Sequence, residues 1–276
     1  MGFATLMVHL ELGRPNTAIL TIAADLAERM NANVIGIGIC QPARLLYNDG
    51  YIPANVLEQE RTEIADEMKA AEAELRAALA PRPDSVDWRS AVVYTPLSEH
   101  LAQEACRADV VITGVDRTTS LFDMSHHVDI GDFVMRAGRP CLIVPNGIDA
   151  LPLKHVVAGW KDTGETRRAV RDALPLMKLA GRVTLVSIVP KDEVDTAHAR
   201  LGDVAAWLKR HGIDVDALVT ASTGDDAARL DAIMAEQGAD LLVAGAYGHS
   251  RVREWALGGV TRDLLLRGTR CSLVSH

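Results

Sequence analysis

Short runs of Val, Ile, Leu and Ala alternate along this chain with longer segments of helical period, and the alternation is written twice. Thr5 to Leu10 is apolar and of strand length, Arg14-Pro15-Asn16-Thr17 offers turn and capping chemistry, and Ile19, Ile22, Ala23, Leu26 and Met30 then follow at the spacing of one helical face. Asn33 to Cys40 is a second buried-strand run. A long loop, Gln41 to Asn55, carries Pro42, Asn48-Asp49-Gly50 and Pro53 before a charged helix over Glu58 to Leu79, with Ile64, Met68, Ala71, Leu75 and Leu79 on one stripe. A strand over Asp87 to Tyr94, a helix over Leu97 to Ala105, a strand over Asp109 to Gly114, a helix near Asp129 to Ala137 and a strand over Cys141 to Val144 complete the first set.

Pro145-Asn146-Gly147 opens a linker reaching Pro152, and the pattern restarts. His155 to Trp160, Arg182 to Val189, Val215 to Ala221 and Asp240 to Ala246 read as strands. Glu165 to Leu179, Ala197 to Arg210 and Ala227 to Gln237 read as helices, the last capped by Gly238. Leu241 to Ser275 closes the second set with a strand, a loop, a helix and a final strand. VVITG ending at Gly114 matches LLVAG ending at Gly245, an offset of 131, whereas the first strands match at an offset near 150; most of the difference falls in the Gln41 to Asn55 loop and the longer second helix of the first half. Parallel strands need crossover helices, and those crossovers run right-handed. The expectation is therefore two tandem Rossmann-like α/β domains, 1–147 and 152–276, each a five-stranded parallel sheet with helices on both faces.

With 48% apolar residues but only 4% aromatic, the cores must be aliphatic. A net charge of -8 disfavours phosphate-backbone binding, so no nucleic-acid partner is expected. The opening MGFATLMVHLELGR lacks a basic n-region, and no apolar run approaches the length of a membrane span; a soluble cytoplasmic protein without a membrane partner is expected. Cys40, Cys106, Cys141 and Cys271 lie far apart, each in or beside an apolar run, and read as small buried thiols rather than metal ligands.

The segment that carries chemistry is Gly245-Ala246-Tyr247-Gly248, then nine residues, then Gly258-Gly259-Val260-Thr261. A strand, a glycine-bearing loop and a helix start make an anion site, because glycine lets backbone approach a ligand and the first N–H groups of a helix are unpaired. This Gly-x2-Gly-x9-Gly spacing resembles the nucleotide-binding signature of the universal stress protein family, with Gly259 where that family usually has Ser or Thr. The resemblance implies an adenine nucleotide alpha hydrolase-like fold of strand order 3-2-1-4-5, binding of ATP, or of ADP or AMP, with or without Mg²⁺, and a regulatory part in stress adaptation. Carried over position by position, it places Gly159, Trp160 and Lys161 at the end of the second half's first strand and Val189 beside the base. Ala244, Gly245, Tyr247 and Gly248 then line the ribose and phosphates, flanked by His249 and Ser250, and Gly258, Gly259, Val260 and Thr261 supply backbone donors. Family members often have Asp against the nucleoside; this chain has Glu11 in its first half and Lys161 in its second.

At the same offset the first half keeps Gly114 but has Arg117, His127 and Val128 in place of Gly248, Gly258 and Gly259, so it reads as a degenerate copy. A second reading gives Arg117, Arg136 and Arg139 a different anion. Asp123, His126, His127, Asp129 and Asp132 lack the paired spacing of metal ligands and read as a solvated polar loop. No Walker signature, Gly-x-Ser-x-Gly elbow or placeable nucleophile occurs, so no catalytic residue is assigned. The alternatives are a scaffold or small-ligand carrier acting through protein partners, and a slow ATPase or phosphotransfer enzyme. Single-domain relatives pair through their last strands, which implies that Leu142–Val144 and Leu273–Ser275 pair within one chain as an intramolecular pseudo-dimer. Homodimerisation and the identity of protein partners stay open.

Overall fold

The inner strands, rich in Val, Ile, Leu and Ala, are buried on both faces, as parallel sheets flanked by helices require, and residues such as Leu6, Val8, Ile37, Val111 and Ile112 are sealed from solvent, whereas the strands Val86–Val92 and Val215–Ala221 are partly exposed. The structure, a computed structural model, describes residues 2–42, 54–115, 125–246 and 269–276. It divides into two compact units, Phe3–Arg139 and one built on Pro140–His276.

The first unit runs β1 (Thr5–Leu10), α1 (Thr17–Met30), β2 (Asn33–Cys40), α2 (Ala54–Ala78), β3 (Val86–Val92), α3 (Leu97–Glu104), β4 (Val110–Gly114) and α4 (Ile130–Ala137). Its strands stand in the order β3-β2-β1-β4, all parallel. The second unit runs β5 (Cys141–Val144), β6 (His155–Gly159), α5 (Gly164–Asp172), α6 (Leu174–Leu179), β7 (Arg182–Val189), α7 (Val194–Arg210), β8 (Val215–Ala221), α8 (Asp226–Gln237), β9 (Leu241–Gly245) and β10 (Cys271–Ser275). Here β8-β7-β6-β9-β10 is the 3-2-1-4-5 arrangement in full, every pair parallel. The Rossmann-like fold expected from the sequence is thus present. β5, the fifth strand of the first repeat, groups with the second unit and lies antiparallel to β10, Leu142 opposite Leu273. The expected meeting of these two segments is therefore made.

The repeat extends to individual bonds. The Asp109 carboxylate accepts from Ala4 N at 2.7 Å and Thr5 N at 3.0 Å, and Asp109 N donates to Thr5 O. Asp240 treats Lys154 N and His155 N in the same way, at 2.7 and 3.4 Å, and its own N–H donates to His155 O. The registers Leu6↔Val110 and Val156↔Leu241 then equate His9 with Gly159 and Thr113 with Ala244.

Several local expectations change. The helix expected over Glu165 to Leu179 is two, because Pro175 lacks the N–H an uninterrupted helix would use and instead opens α6. α2 begins at Ala54, ahead of Glu58. Asn16 precedes α1 without capping it; its side chain bonds Glu11 N, Glu11 O and Arg14 O, locking the β1–α1 turn instead. Cys106 is exposed, contrary to the buried-thiol expectation, because it sits in the short helical turn between α3 and β4 rather than in a strand, whereas Cys40, Cys141 and Cys271 are buried. Gly238 caps α8 in the left-handed conformation as expected. Gly36 and Gly38 serve packing, since a Cβ at Gly36 would collide with Leu75 and one at Gly38 would meet Trp88 at 2.8 Å.

Candidate functional site

In an open parallel sheet, ligands sit beyond the carboxyl ends of the strands where the order reverses. In the second unit that point lies between β6 and β9, whose pairing ends at Ala158↔Val243. The next residues, Gly159 and Ala244, are small, and with Trp160, Val189 and Gly245 they are half-buried, which leaves a partly open row along the ends of β7, β6 and β9. A Cβ on Gly159 would meet only Leu230 Cδ2 at 3.5 Å and Val243 O at 3.9 Å, so no protein atom fills that place tightly. These five residues, which the sequence reading assigned to the nucleotide, are brought to one edge of the sheet. Lys161 is exposed at the same edge, its carbonyl accepting from Thr163 N at 2.6 Å. Tyr247, Gly248, His249, Ser250, Gly258, Gly259, Val260 and Thr261 lie outside the described residues.

Gly245 has a second duty that sequence reasoning missed. A Cβ there would stand 2.5 Å from Thr166 N and 2.7 Å from Glu165 C, so the first turn of α5 rests directly on the end of β9. That turn is capped internally: Thr163 Oγ1 accepts from Thr166 N and lies 3.2 Å from Thr166 Oγ1. Glu165 sits in the same turn, its carboxyl held below the usual range chiefly by its own backbone N–H, with lesser help from Thr163, Arg168 and His276 against the opposing effect of partial burial. His276 Nδ1 is 3.1 Å from Ala246 O and Ser275 Oγ donates to Asp172, so β10 fastens the other side of α5.

The equivalent edge of the first unit is differently furnished. Beyond the last paired residues, Val8↔Ile112, stand His9 and Thr113, both buried, with His9 Nδ1 and Thr113 Oγ1 sharing a hydrogen bond of 3.1 Å. His9 Nε2 is sealed from water without a hydrogen-bond partner. Burial, and then the nearby His127, push the imidazole down from 6.5 to about 4. A Cβ on Gly114 would meet the Glu11 carboxylate at 3.8 Å, and Glu11 pairs with Arg14. Sequence reasoning compared Glu11 with Lys161 and passed over His9; extending the same strand alignment by two residues would have found it.

The histidine and aspartate run that follows disperses. His126 Nε2 lies 3.4 Å from Glu67, Asp129 caps α4 by accepting from Asp132 N, and Asp132 binds Ser98 and Arg136. Arg136 is thereby engaged at 2.8 Å, and its guanidinium is held more firmly protonated by the Asp132 carboxylate. Asp123 and Arg117 lie outside the described residues. Among the described residues no three His, Cys, Asp or Glu side chains converge to hold a metal ion, and no described helix is long and apolar enough to cross a membrane.

Fold and crevice together define a tandem, doubly wound α/β protein with its open strand-order reversal in the second unit. In structure the chain resembles a universal stress protein from Archaeoglobus fulgidus DSM 4304, with a TM-score of 0.73 and 14% identity over 98% of this chain and 95% of that one. It also resembles a putative universal stress protein from Pseudomonas aeruginosa UCBPP-PA14, with a TM-score of 0.64 and 16% identity over 99% and 93%. A functionally unknown protein of Pseudomonas aeruginosa PAO1 gives a TM-score of 0.63 and 15% identity over 99% and 92%. The chain has the universal stress protein fold along essentially its whole length. No family model and no curated protein matches it in sequence.

Proposed function

We propose that this chain is a cytoplasmic stress-adaptation protein of regulatory type that binds ATP, or ADP or AMP, in its second unit. The observation that carries the reading is the coincidence of an open strand-order reversal, lined by Gly159, Trp160, Val189 and Ala244, with the glycine signature entered directly from β9. Small residues leave room for a flat base and ribose between the ends of β6 and β9. Tyr247 and Gly248 follow the ribose contacts, and the amides of Gly258, Gly259, Val260 and Thr261 take the phosphates, with His249 and Ser250 alongside. Lys161 at the crevice edge favours an anionic ligand and departs from the acidic residue usual beside the nucleoside.

Mass spectrometry of the supernatant after denaturing the purified protein tests the reading, with an adenine nucleotide expected at close to one per chain. Calorimetry with ATP, ADP and AMP should give binding that Gly258→Val removes while the fold is kept. An untreated protein that carries no nucleotide and responds to none of the three refutes the proposal.

A further inference from the structure

We infer that the hydrogen-bonded pair His9–Thr113 is a built-in plug that denies the first unit a nucleoside and so sets one ligand per chain; this rests on the nucleotide reading of the second unit. The two units correspond at their strand ends through the registers Leu6↔Val110 and Val156↔Leu241 and the matching aspartate ties of Asp109 and Asp240. At the strand-order reversal the second unit has Gly159 and Ala244, half-buried, and a Cβ on the glycine would meet Leu230 Cδ2 at 3.5 Å and Val243 O at 3.9 Å without overlap. The first unit has His9 and Thr113 there, 4% and 2% exposed and joined at 3.1 Å. Together they span from β1 to β4 across the place a base and ribose need. Packed interiors leave no room for such an insertion unless side chains move, and His9 cannot simply swing out without giving up its bond to Thr113. Glu11, paired with Arg14, stands beside Gly114 at the same mouth, where the second unit has Lys161.

The plug explains why Nε2 of His9 is left without a partner. The unmet ring nitrogen is the penalty of filling the crevice with a polar ring. The pair acts independently of the phosphate-loop substitutions Arg117, His127 and Val128, because it bars the nucleoside rather than the phosphates.

The test moves the pair in both directions in the full chain. Gly159→His with Ala244→Thr installs the plug in the second unit, and ATP affinity should fall by about a hundredfold or more, with far-UV circular dichroism and melting temperature kept near those of the unaltered protein. His9→Gly with Thr113→Ala opens the first unit; ATP binding in the second unit should stay within about twofold, and calorimetry with adenosine as probe should reveal an added site absent from the unaltered protein. An unchanged ATP affinity in the plugged variant, or no added adenosine site in a folded opened variant, overturns the inference. If the unaltered protein binds no ATP, the nucleotide reading fails by itself, and the adenosine titration of the opened variant still decides the plug. If the opened variant does not fold, the plugged variant decides it.

Discussion

Acidification should weaken the first unit through one side chain. His9 titrates near 6.5 when the chain is unfolded and near 4 when it is buried beside Thr113, with desolvation the main cause and the His127 charge the second. A lowered folded value means that the unfolded chain takes up the proton first, so stability is whole above about pH 6.5 and is lost as the pH falls towards 4, below which the loss levels off. Two and a half pH units at about 1.4 kcal/mol each give a ceiling of about 3.4 kcal/mol, of which about 2 kcal/mol falls between pH 7 and pH 5. That interval lies above the range where most carboxylates titrate, and comparison with a His9 variant subtracts the contribution of the other eight histidines. Urea unfolding of the unaltered protein and of His9→Gln at pH 7 and pH 5, followed by hydrogen exchange at β1 and β4 to isolate the first unit, measures the difference. The variant carries a constant offset from its altered packing, but its loss on acidification should be smaller by about 2 kcal/mol. Equal pH dependence in the two proteins, or an NMR titration placing His9 near 6.5, refutes the reasoning.

Gly245→Ala should destabilise the second unit by roughly 1–3 kcal/mol, because the new methyl would overlap the Thr166 backbone at the start of α5; the same methyl at Gly159 should be nearly neutral, and urea unfolding compares them. Asp109→Ala and Asp240→Ala each remove an acceptor from two backbone N–H groups at a strand's start and should cost about 1–2 kcal/mol apiece, with the loss confined to the unit that carries the change when read by hydrogen exchange. Iodoacetamide should label Cys106 alone in the native protein. The other three thiols are buried and harder to ionise, Cys40 being pushed up to about 11 and Cys271 to about 12, with Cys141 raised further still; peptide mapping after native labelling checks this.

Much of the architecture was legible in residue order. Aliphatic runs of strand length such as VVITG and LLVAG cannot be half-exposed without a large apolar surface, so they had to be sheet interior, and helical spacing between them forced parallel crossovers. Turn chemistry with a local cause was legible too, as at Gly238. Where the sequence misled, the cause was competition between nearby groups. Pro175 divided a periodic stretch into two helices, and Asn16, placed where a cap belongs, was drawn into bonds with Glu11 and Arg14.

The amino-acid order by itself determined the tandem repeat, the aliphatic cores and the glycine signature, because periodicity and composition act over short stretches of chain. Only the tertiary structure decided that His9 meets Thr113, 104 residues away, and that Gly245 seats the first turn of α5. Each of those contacts depends on which strands become neighbours and in what register, a property of the assembled sheet that no single stretch of sequence carries.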